Sequence, residues 1–437
     1  VKGLNEVSLD RTYFVQGAVT EVPKGFAVST INKDSISNEI PSFENSGVFN
    51  ISSPKAKDNK NAWAKDSASE DFSNSKIDAE KELQTKSKNH PLFNLLNEQT
   101  KEVQYITIEG KSEAPLIITF DDKSFDSKNC ISSQIINAKK DSEGTVIFFY
   151  AGNANQSFIQ TKVYAQENAK VNIVKVQLFD KNTLHFDDTL FIEDENANVK
   201  FSQIELGAKH VDSGVHNVLR GYKSNFTSDV AYICQNAQVL DMNHIVIHKG
   251  KKTECKMNVN GTLKDEACKT YRGTIDLQKG CAGAKGNEME ETLLLSPKAV
   301  NKSLPIILCD EEDVEGEHGA TLGRISSEIL FYMQSRGISK EAAEAIMARA
   351  KVQAVADTIP SDSIKEKIYD YADKLLIGLS EEENEMVLNE FDAIDENLNL
   401  VNTIAGINEV EPMTHCLDDF EYVLREDVIM PSIEISE

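Results

Sequence analysis

The sequence has 437 residues, 40% of them hydrophobic, which is enough for two or three structural units and a sizeable core. Its formal net charge of −25 argues against binding to nucleic acid or to anionic lipid, because both require clustered Lys and Arg. No apolar run approaches the roughly 18 residues that a membrane-spanning helix needs.

The seven cysteines are spread singly along the chain, without a CxxC pair. An odd number of isolated cysteines is typical of a reducing compartment, and it argues against a disulfide framework, a zinc ribbon or a ferredoxin-type cluster site. The first ten residues contain no basic segment followed by an apolar core, so we expect no signal peptide. The sequence therefore predicts a cytoplasmic protein.

In chain order, residues 1–100 are predicted to form a small N-terminal region. Residues 13–28 have the pattern of a short extended element. From about residue 45 to residue 89 the chain is rich in Ser, Asn, Lys and Asp and poor in branched apolar side chains. Such a segment cannot bury enough surface to offset its ordering entropy, so we predict a low-complexity linker there.

Residues 101–323 are predicted to be all-β. Short runs of Ile, Val, Phe, Tyr and Thr recur between small polar clusters, and no helical period interrupts them. Residues 167–171 (ENAKV) return 28 positions later as residues 195–199 (ENANV). Small residues at such intervals suit stacked coils, in which each turn fits under the next. The pattern favours a parallel β-helix, with an irregular β-sandwich as the alternative.

Residues 324–378 are predicted to form a C-terminal helical domain, because apolar residues recur there at intervals of three and four over 326–334, 340–357 and 361–376. Ser339 is the predicted N-cap of the second helix. Residues 379–437 are predicted to be an acidic extension, since residues 381–437 contain 17 acidic residues against one basic residue. A mobile extension is favoured over a marginal helix or an acidic arm that binds a partner.

The segment 313–324 (DVEGEHGATLGR) lies at the predicted junction of the β region and the helices, and His318 within it is interpreted as a loop residue. The segment places His318 beside Glu317, and Gly319 allows the backbone to approach a ligand closely. Neutral imidazole suits iron, and carboxylates can orient it or bind beside it. Cys309 is a further candidate ligand, although a free cysteine beside a strand usually packs as a small hydrophobe. The alternative is that His318 caps the following helix or bonds a backbone carbonyl.

Residues 318–325 (HGATLGRI) and 330–338 (LFYMQSRGI) resemble the SufB/SufD family of iron–sulfur cluster assembly proteins. Supporting blocks lie at residues 272–275 (RGTI) and 292–296 (TLLLS), in the same order, and the resemblance spans about residues 103–373. It implies a right-handed parallel β-helix followed by a helical domain, in agreement with the patterns above.

The resemblance also implies a subunit without catalytic residues of its own. In the family, SufB and SufD pair with each other and each holds one copy of the ATPase SufC, and this chain has no GxxxxGK[ST] loop. No tightly bound cofactor is expected in the isolated chain, whereas iron or an iron–sulfur cluster would be held transiently in the complex. The residues expected to bind SufC, by resemblance, are Leu330, Phe331, Tyr332, Arg336, Gly337 and Ile338.

Two positions make the SufD branch the nearer one. The cysteine by which SufB is thought to carry the nascent cluster falls on about Glu290, and the glutamate after the SufB histidine falls on Gly319. The SufD histidine implicated in iron supply falls on His318, but the cysteine that commonly precedes it is Gly316 here. A thiolate, if the site needs one, must therefore come from a partner or from elsewhere in the chain.

Two alternatives remain open on the sequence. The chain could be a SufB-like scaffold, or a homodimeric one that itself carries the nascent cluster. A β-helix enzyme acting on carbohydrate is the second alternative, and the absence of a signal peptide counts against it.

Overall fold

The computed structural model describes residues 12–32, 102–121 and 129–376. The predicted low-complexity linker and the acidic extension lie outside these residues. The described part of the chain contains nineteen strands and three helices. The strands are β1 Thr12–Phe14, β2 Ala18–Val19, β3 Phe26–Asn32, β4 Glu102–Ile108, β5 Leu116–Phe120, β6 Asn129–Ala138, β7 Glu143–Gly152, β8 Gln156–Ala165, β9 Lys170–Phe179, β10 Leu184–Glu193, β11 Asn198–Glu205, β12 His210–Leu219, β13 Asn225–Cys234, β14 Val239–His248, β15 Glu254–Leu263, β16 Cys268–Leu277, β17 Ala284–Leu294, β18 Val300–Cys309 and β19 Val314–Gly323, and the helices are α1 Ser327–Ser335, α2 Lys340–Ala356 and α3 Asp362–Leu376.

Successive strands from β4 to β19 alternate between two sheets. The even-numbered strands pair in order in one sheet and the odd-numbered strands in the other, always in parallel. At the N-terminal end β2 and β3 pair antiparallel with β5 and β4. The result is a parallel β-solenoid of about seven turns, which confirms the predicted β-helix over the sandwich.

A residue in the left-handed backbone conformation recurs at the same turn of successive coils. Asp141, Asn168 and Asn196 have φ values of 59°, 59° and 53°, and the N–H of Asn168 donates to the carbonyl of Glu195 one coil further on at 2.9 Å. The side chains form a ladder, in which Asn168 donates to Asp141 at 2.7 Å and Asn196 to Asn168 at 3.2 Å. Asparagine tolerates this conformation better than most residues. The ENAKV repeat therefore marks one complete coil.

Side chains alternate along each strand, so that every second residue faces the interior. The interior is mostly apolar and includes the fully buried rings of Tyr150, Tyr232 and Tyr271. It also encloses three buried histidines: His185, His244 and His248. Burial lowers the pKa of His185 and of His244 to about 3, so both rings are neutral over the physiological range.

The three predicted helices are confirmed, with bounds within one residue of those expected. Ser339 caps α2 by accepting a hydrogen bond from the N–H of Ala342 at 3.1 Å. Helices α2 and α3 pack on the outer face of the odd-numbered sheet, where Val352 joins a buried apolar cluster. The hydroxyl of Tyr371 donates to the carbonyl of Phe179 at 2.7 Å. None of the helices in the described part of the chain is long and apolar enough to cross a lipid bilayer.

The interpretation of His318 as a loop residue is wrong. Val314–Gly323 forms β19, the last strand of the odd-numbered sheet, and pairs in parallel with β17. The glycines favoured a loop in the sequence, but the ladder with β17 supplies the hydrogen bonds that hold this segment extended.

Candidate functional site

The C-terminal end of the solenoid is uncovered in the described part of the chain. Strands β18 and β19 are the last strands of their sheets, and no described strand pairs with their outer edges. The outward side chains of β18 are apolar and exposed: Leu304, Ile306 and Leu308 are 41%, 38% and 52% exposed. An exposed apolar edge strand is a template for pairing with another chain.

His318 lies at this open end. It is exposed and lies in register beside Glu288 of β17. Two residues earlier on the same face of β19, Gly316 lies against the interior side chains of Ile307 and Leu277. His318 therefore belongs to the inward-facing row of β19, above Glu288.

Glu288 is the residue of this site that the sequence did not reveal. Its side chain is 1% exposed, and its Oε2 has no hydrogen-bond partner among the described residues. The carboxylate occupies the space beside Gly273, where any side chain would overlap it. Burial, together with the negative charge of Glu290, raises the pKa of Glu288 to about 7. The pairing with His318 depends on coil register, which single-sequence patterns do not fix.

Lys269 is a buried cation at this end of the interior, but it donates its hydrogen bonds to residues other than Glu288. It donates to Glu290 through a short bond and to Asn301 at 2.9 Å. Ser303 and Thr292 also donate to Glu290. Burial lowers the pKa of Lys269, and the adjacent Glu290 opposes that shift. The Glu290 carboxylate thus accepts hydrogen bonds from Lys269, Thr292 and Ser303, whereas Glu288 receives no hydrogen bond from Lys269.

The structure separates the three ligands predicted from the sequence. Glu317 faces away from the interior, opposite to His318, and its carboxylate accepts from the Asn287 side chain at 3.2 Å. Cys309 is exposed at the far end of β18, where its thiol donates to the carbonyl of Glu311 at 3.1 Å. Within the described ranges, no group of three or more His, Cys, Asp or Glu side chains could hold a metal ion.

The residues expected to bind an ATPase partner lie in and just after α1. Phe331 and Tyr332 are 73% and 58% exposed, and the guanidinium of Arg336 lies 5.2 Å from the centre of the Tyr332 ring. Gly337 has a φ of 92° and ends the helix, and Ile338 is buried. Exposed aromatic side chains and arginine are enriched at protein interfaces, and the assignment of all six residues to partner binding stays a prediction.

Comparison with known proteins gives a consistent set of matches. The model of the family described as "SUF system FeS cluster assembly, SufBD core domain" matches residues 121–351. The chain is 33% identical over 123 residues to the iron–sulfur cluster assembly protein SufD of Bacillus subtilis, and this region covers 28% of each protein. It is 24% identical over 211 residues to SufD of Plasmodium berghei, covering 48% of this chain and 16% of that protein.

A SufBD family protein of Synechocystis is 23% identical over 258 residues, which cover 50% of this chain and 53% of the relative. The chain thus spans about half or less of the length of these three relatives.

Proposed function

The chain belongs to the SufBD family of iron–sulfur cluster assembly proteins, and on that basis we propose that it is a SufD-type subunit that pairs with a SufB-type chain. The observation that carries the proposal is the uncovered end of the solenoid. There, two parallel strand edges have no pairing strand among the described residues, and a row of apolar side chains is exposed beside them. A second chain with the same fold also has two sheets that end in edge strands at the same separation, and these can pair with β18 and β19.

Iron is the cargo of such a subunit, and His318 is the residue proposed to receive it. The imidazole faces the interior at the open end, where a partner would enclose it. Nitrogen and oxygen ligands suit ferrous iron, and Glu288 provides a carboxylate beside the ring. In this proposal the partner supplies the thiolate that this chain lacks, since Gly316 stands where the family commonly has a cysteine.

The ATPase is proposed to be a separate SufC-type chain that binds around α1. The support is the exposed pair Phe331 and Tyr332, together with the absence of a phosphate-binding GxxxxGK[ST] loop from the sequence. The cytoplasmic location stays a prediction, and one similar protein, from Arabidopsis thaliana, is named as chloroplastic.

The pairing is tested by co-expressing this chain with SufB-type and SufC-type proteins and measuring the mass of the native complex. Ile306→Lys places a charge on the exposed apolar face of β18, and we expect it to abolish the pair with SufB. Tyr222→Lys is the matched control, because Tyr222 is 40% exposed and lies in a turn away from the open end.

Retention of the heteromeric mass by Ile306→Lys, at the wild-type level, would contradict pairing through this end. A stable homodimer that carries iron and sulfide without SufB would favour the homodimeric scaffold instead.

A further inference from the structure

Two consecutive turns of the solenoid form a positively charged patch on a chain whose net charge is −25. The turns at residues 220–224 (RGYKS) and 249–253 (KGKKT), which follow β12 and β14, contain five basic residues and no acidic residue. The lysines of these turns, which we call the basic ridge, are Lys223, Lys249, Lys251 and Lys252. Three of them, Lys223, Lys251 and Lys252, are exposed.

The lysines of the basic ridge stack from one coil to the next. The N–H of Lys223 donates to the carbonyl of Lys251 at 3.0 Å, and Lys223 and Lys252 have φ values of 57° and 56°. They occupy the left-handed turn position that Asn168 and Asn196 hold in the two preceding coils, where the asparagine side chains form a ladder. Because neighbouring coils lie about 4.8 Å apart, like charges are adjacent along the ridge.

This stacking of lysines is unfavourable for the fold. The left-handed backbone conformation is tolerated better by Asn than by Lys, and like charges on neighbouring strands repel each other. An asparagine at either position would remove a charge and could extend the ladder of hydrogen bonds. Stability therefore does not explain the paired lysines, and local arrangements that cost stability are concentrated at functional sites.

Elsewhere on the solenoid, exposed lysines of the turns are neutralised by a carboxylate of a neighbouring coil. Lys111 pairs with Glu143 at 3.2 Å, and Lys140 pairs with Glu167 at 2.8 Å. None of the exposed lysines of the basic ridge has such an ion pair among the residues that the structure describes. The positive charge of the ridge is therefore available to a partner.

We propose that the basic ridge binds an acidic segment of a partner protein. The ridge is about 10 Å across, which matches about two to four clustered carboxylates. The turn before it, at residues 194–197 (DENA), and the second turn after it, at residues 310–313 (DEED), are acidic. A nucleic acid strand needs a longer basic track and would be repelled by both of these turns, whereas a short acidic segment fits between them.

The basic ridge is separate from the interfaces of the proposed assembly function. It follows β12 and β14, whereas the pairing is proposed to use β18 and β19 and the ATPase to bind around α1. The proposal therefore concerns a further contact of this chain and does not depend on those interfaces.

The test is fluorescence anisotropy of a labelled oligoglutamate peptide titrated with the full chain. At about 0.1 M salt the Debye length is about 10 Å, so the ridge acts on the peptide while distant acidic residues are screened. We expect saturable binding that is lost at about 1 M salt. The double variant Lys223→Asn, Lys252→Asn should weaken binding by about tenfold or more, while asparagine keeps the turn conformation.

The matched control is the double variant Lys111→Asn, Lys140→Asn, which changes the net charge equally but removes lysines that already pair with carboxylates. Equal weakening in both double variants, or no binding by the wild type, would overturn the assignment. Tighter binding of an oligothymidylate of the same charge would overturn it as well.

Carbodiimide cross-linking of the oligoglutamate peptide to the wild-type chain gives a readout that does not depend on the variants. The cross-links should concentrate on Lys223, Lys251 and Lys252, as mapped by mass spectrometry of the digested product. An even distribution of cross-links over the exposed lysines would contradict the site.

Discussion

At the scale of single residues, Glu288 is a buried carboxylate whose Oε2 atom has no hydrogen-bond partner in the described part of the chain. An isolated buried charge costs several kcal/mol, so such a group is neutralised by a proton, a cation or a metal ion. Lys269 is committed to Glu290 and Asn301. The neighbour of Glu288 toward the open end is His318. Binding of a cation between Glu288 and His318 would therefore neutralise the buried carboxylate.

His318→Ala should leave the mass of the native complex unchanged and reduce cluster formation by roughly tenfold or more, since it removes the inward imidazole. The measurement is iron and sulfide content of the purified complex after anaerobic reconstitution. Glu317→Gln is the matched control, because Glu317 is the adjacent residue but faces outward. Equal cluster yield from His318→Ala and from the wild type would remove His318 from the site.

His318 could be proposed as a ligand from its sequence context, and that role stays a prediction, whereas Glu288 could not be singled out from the sequence. The histidine lies in a glycine-flanked segment that resembles a known family. Glu288 is one of many acidic residues, and its importance depends on lying one coil before His318 on the same face of the sheet. That relation requires the length of every coil, and the coils vary: the register pairs are 28 residues apart between β9 and β11 and 30 apart between β17 and β19.

At the scale of secondary-structure elements, the turn after each even-numbered strand is stabilised by the coil that follows it. Asn168 occupies the middle of the asparagine ladder, since it donates to Asp141 and accepts from Asn196. Its left-handed backbone conformation is unfavourable for residues with a Cβ other than Asn and Asp. Asn168 therefore contributes to the turn in two ways: its side chain makes the ladder hydrogen bonds, and its backbone tolerates the left-handed conformation.

Asn168→Ala should lower the free energy of unfolding by about 2 kcal/mol, because it combines backbone strain with two lost hydrogen bonds. Asn168→Gly relieves the strain but not the loss of hydrogen bonds, so we expect a smaller decrease. Urea unfolding followed by far-UV circular dichroism measures both. If alanine and glycine destabilise the protein equally, backbone strain does not contribute at this turn.

The helices and the solenoid repeat could be predicted because each follows a local pattern. Apolar spacing of three and four residues fixes α1 to α3, and the ENAKV repeat fixes the length of one coil. Strand β19 could not be predicted in this way, since its three glycines favour a loop and the pairing that overrides them is with β17, about 30 residues earlier. Non-local pairing is what single-sequence patterns omit.

At the scale of the whole molecule, burial of histidine inside the solenoid makes the stability of the fold depend on pH. His244 is fully buried, and neither of its ring nitrogens has a hydrogen-bond partner among the residues that the structure describes. Burial lowers its pKa to about 3 from an ordinary value near 6.5. The unfolded chain therefore binds a proton as pH falls below about 6.5, and the folded chain does not. Stability is lost over that window as pH falls.

His244→Leu should reduce the loss of stability between pH 7.5 and pH 5 by about 2 kcal/mol, because it removes one proton uptake by the unfolded state. Urea unfolding at the two pH values gives the difference, in which the packing cost of the substitution cancels. Met242→Leu is the control, since Met242 is buried two residues earlier on the same strand and does not titrate. An unchanged pH difference in His244→Leu would show that the ring is not neutral in the fold.

The described part of the solenoid has two unlike ends. At the first, β2 and β3 run antiparallel to the coils; at the last, β18 and β19 leave parallel edges free. Two chains that join through their last coils, as proposed, use the parallel edges of β18 and β19, whereas the terminal strands at the first end, β3 and β2, run antiparallel to their neighbours. Growth therefore terminates at a pair, whereas a solenoid with two like ends would polymerise into a filament.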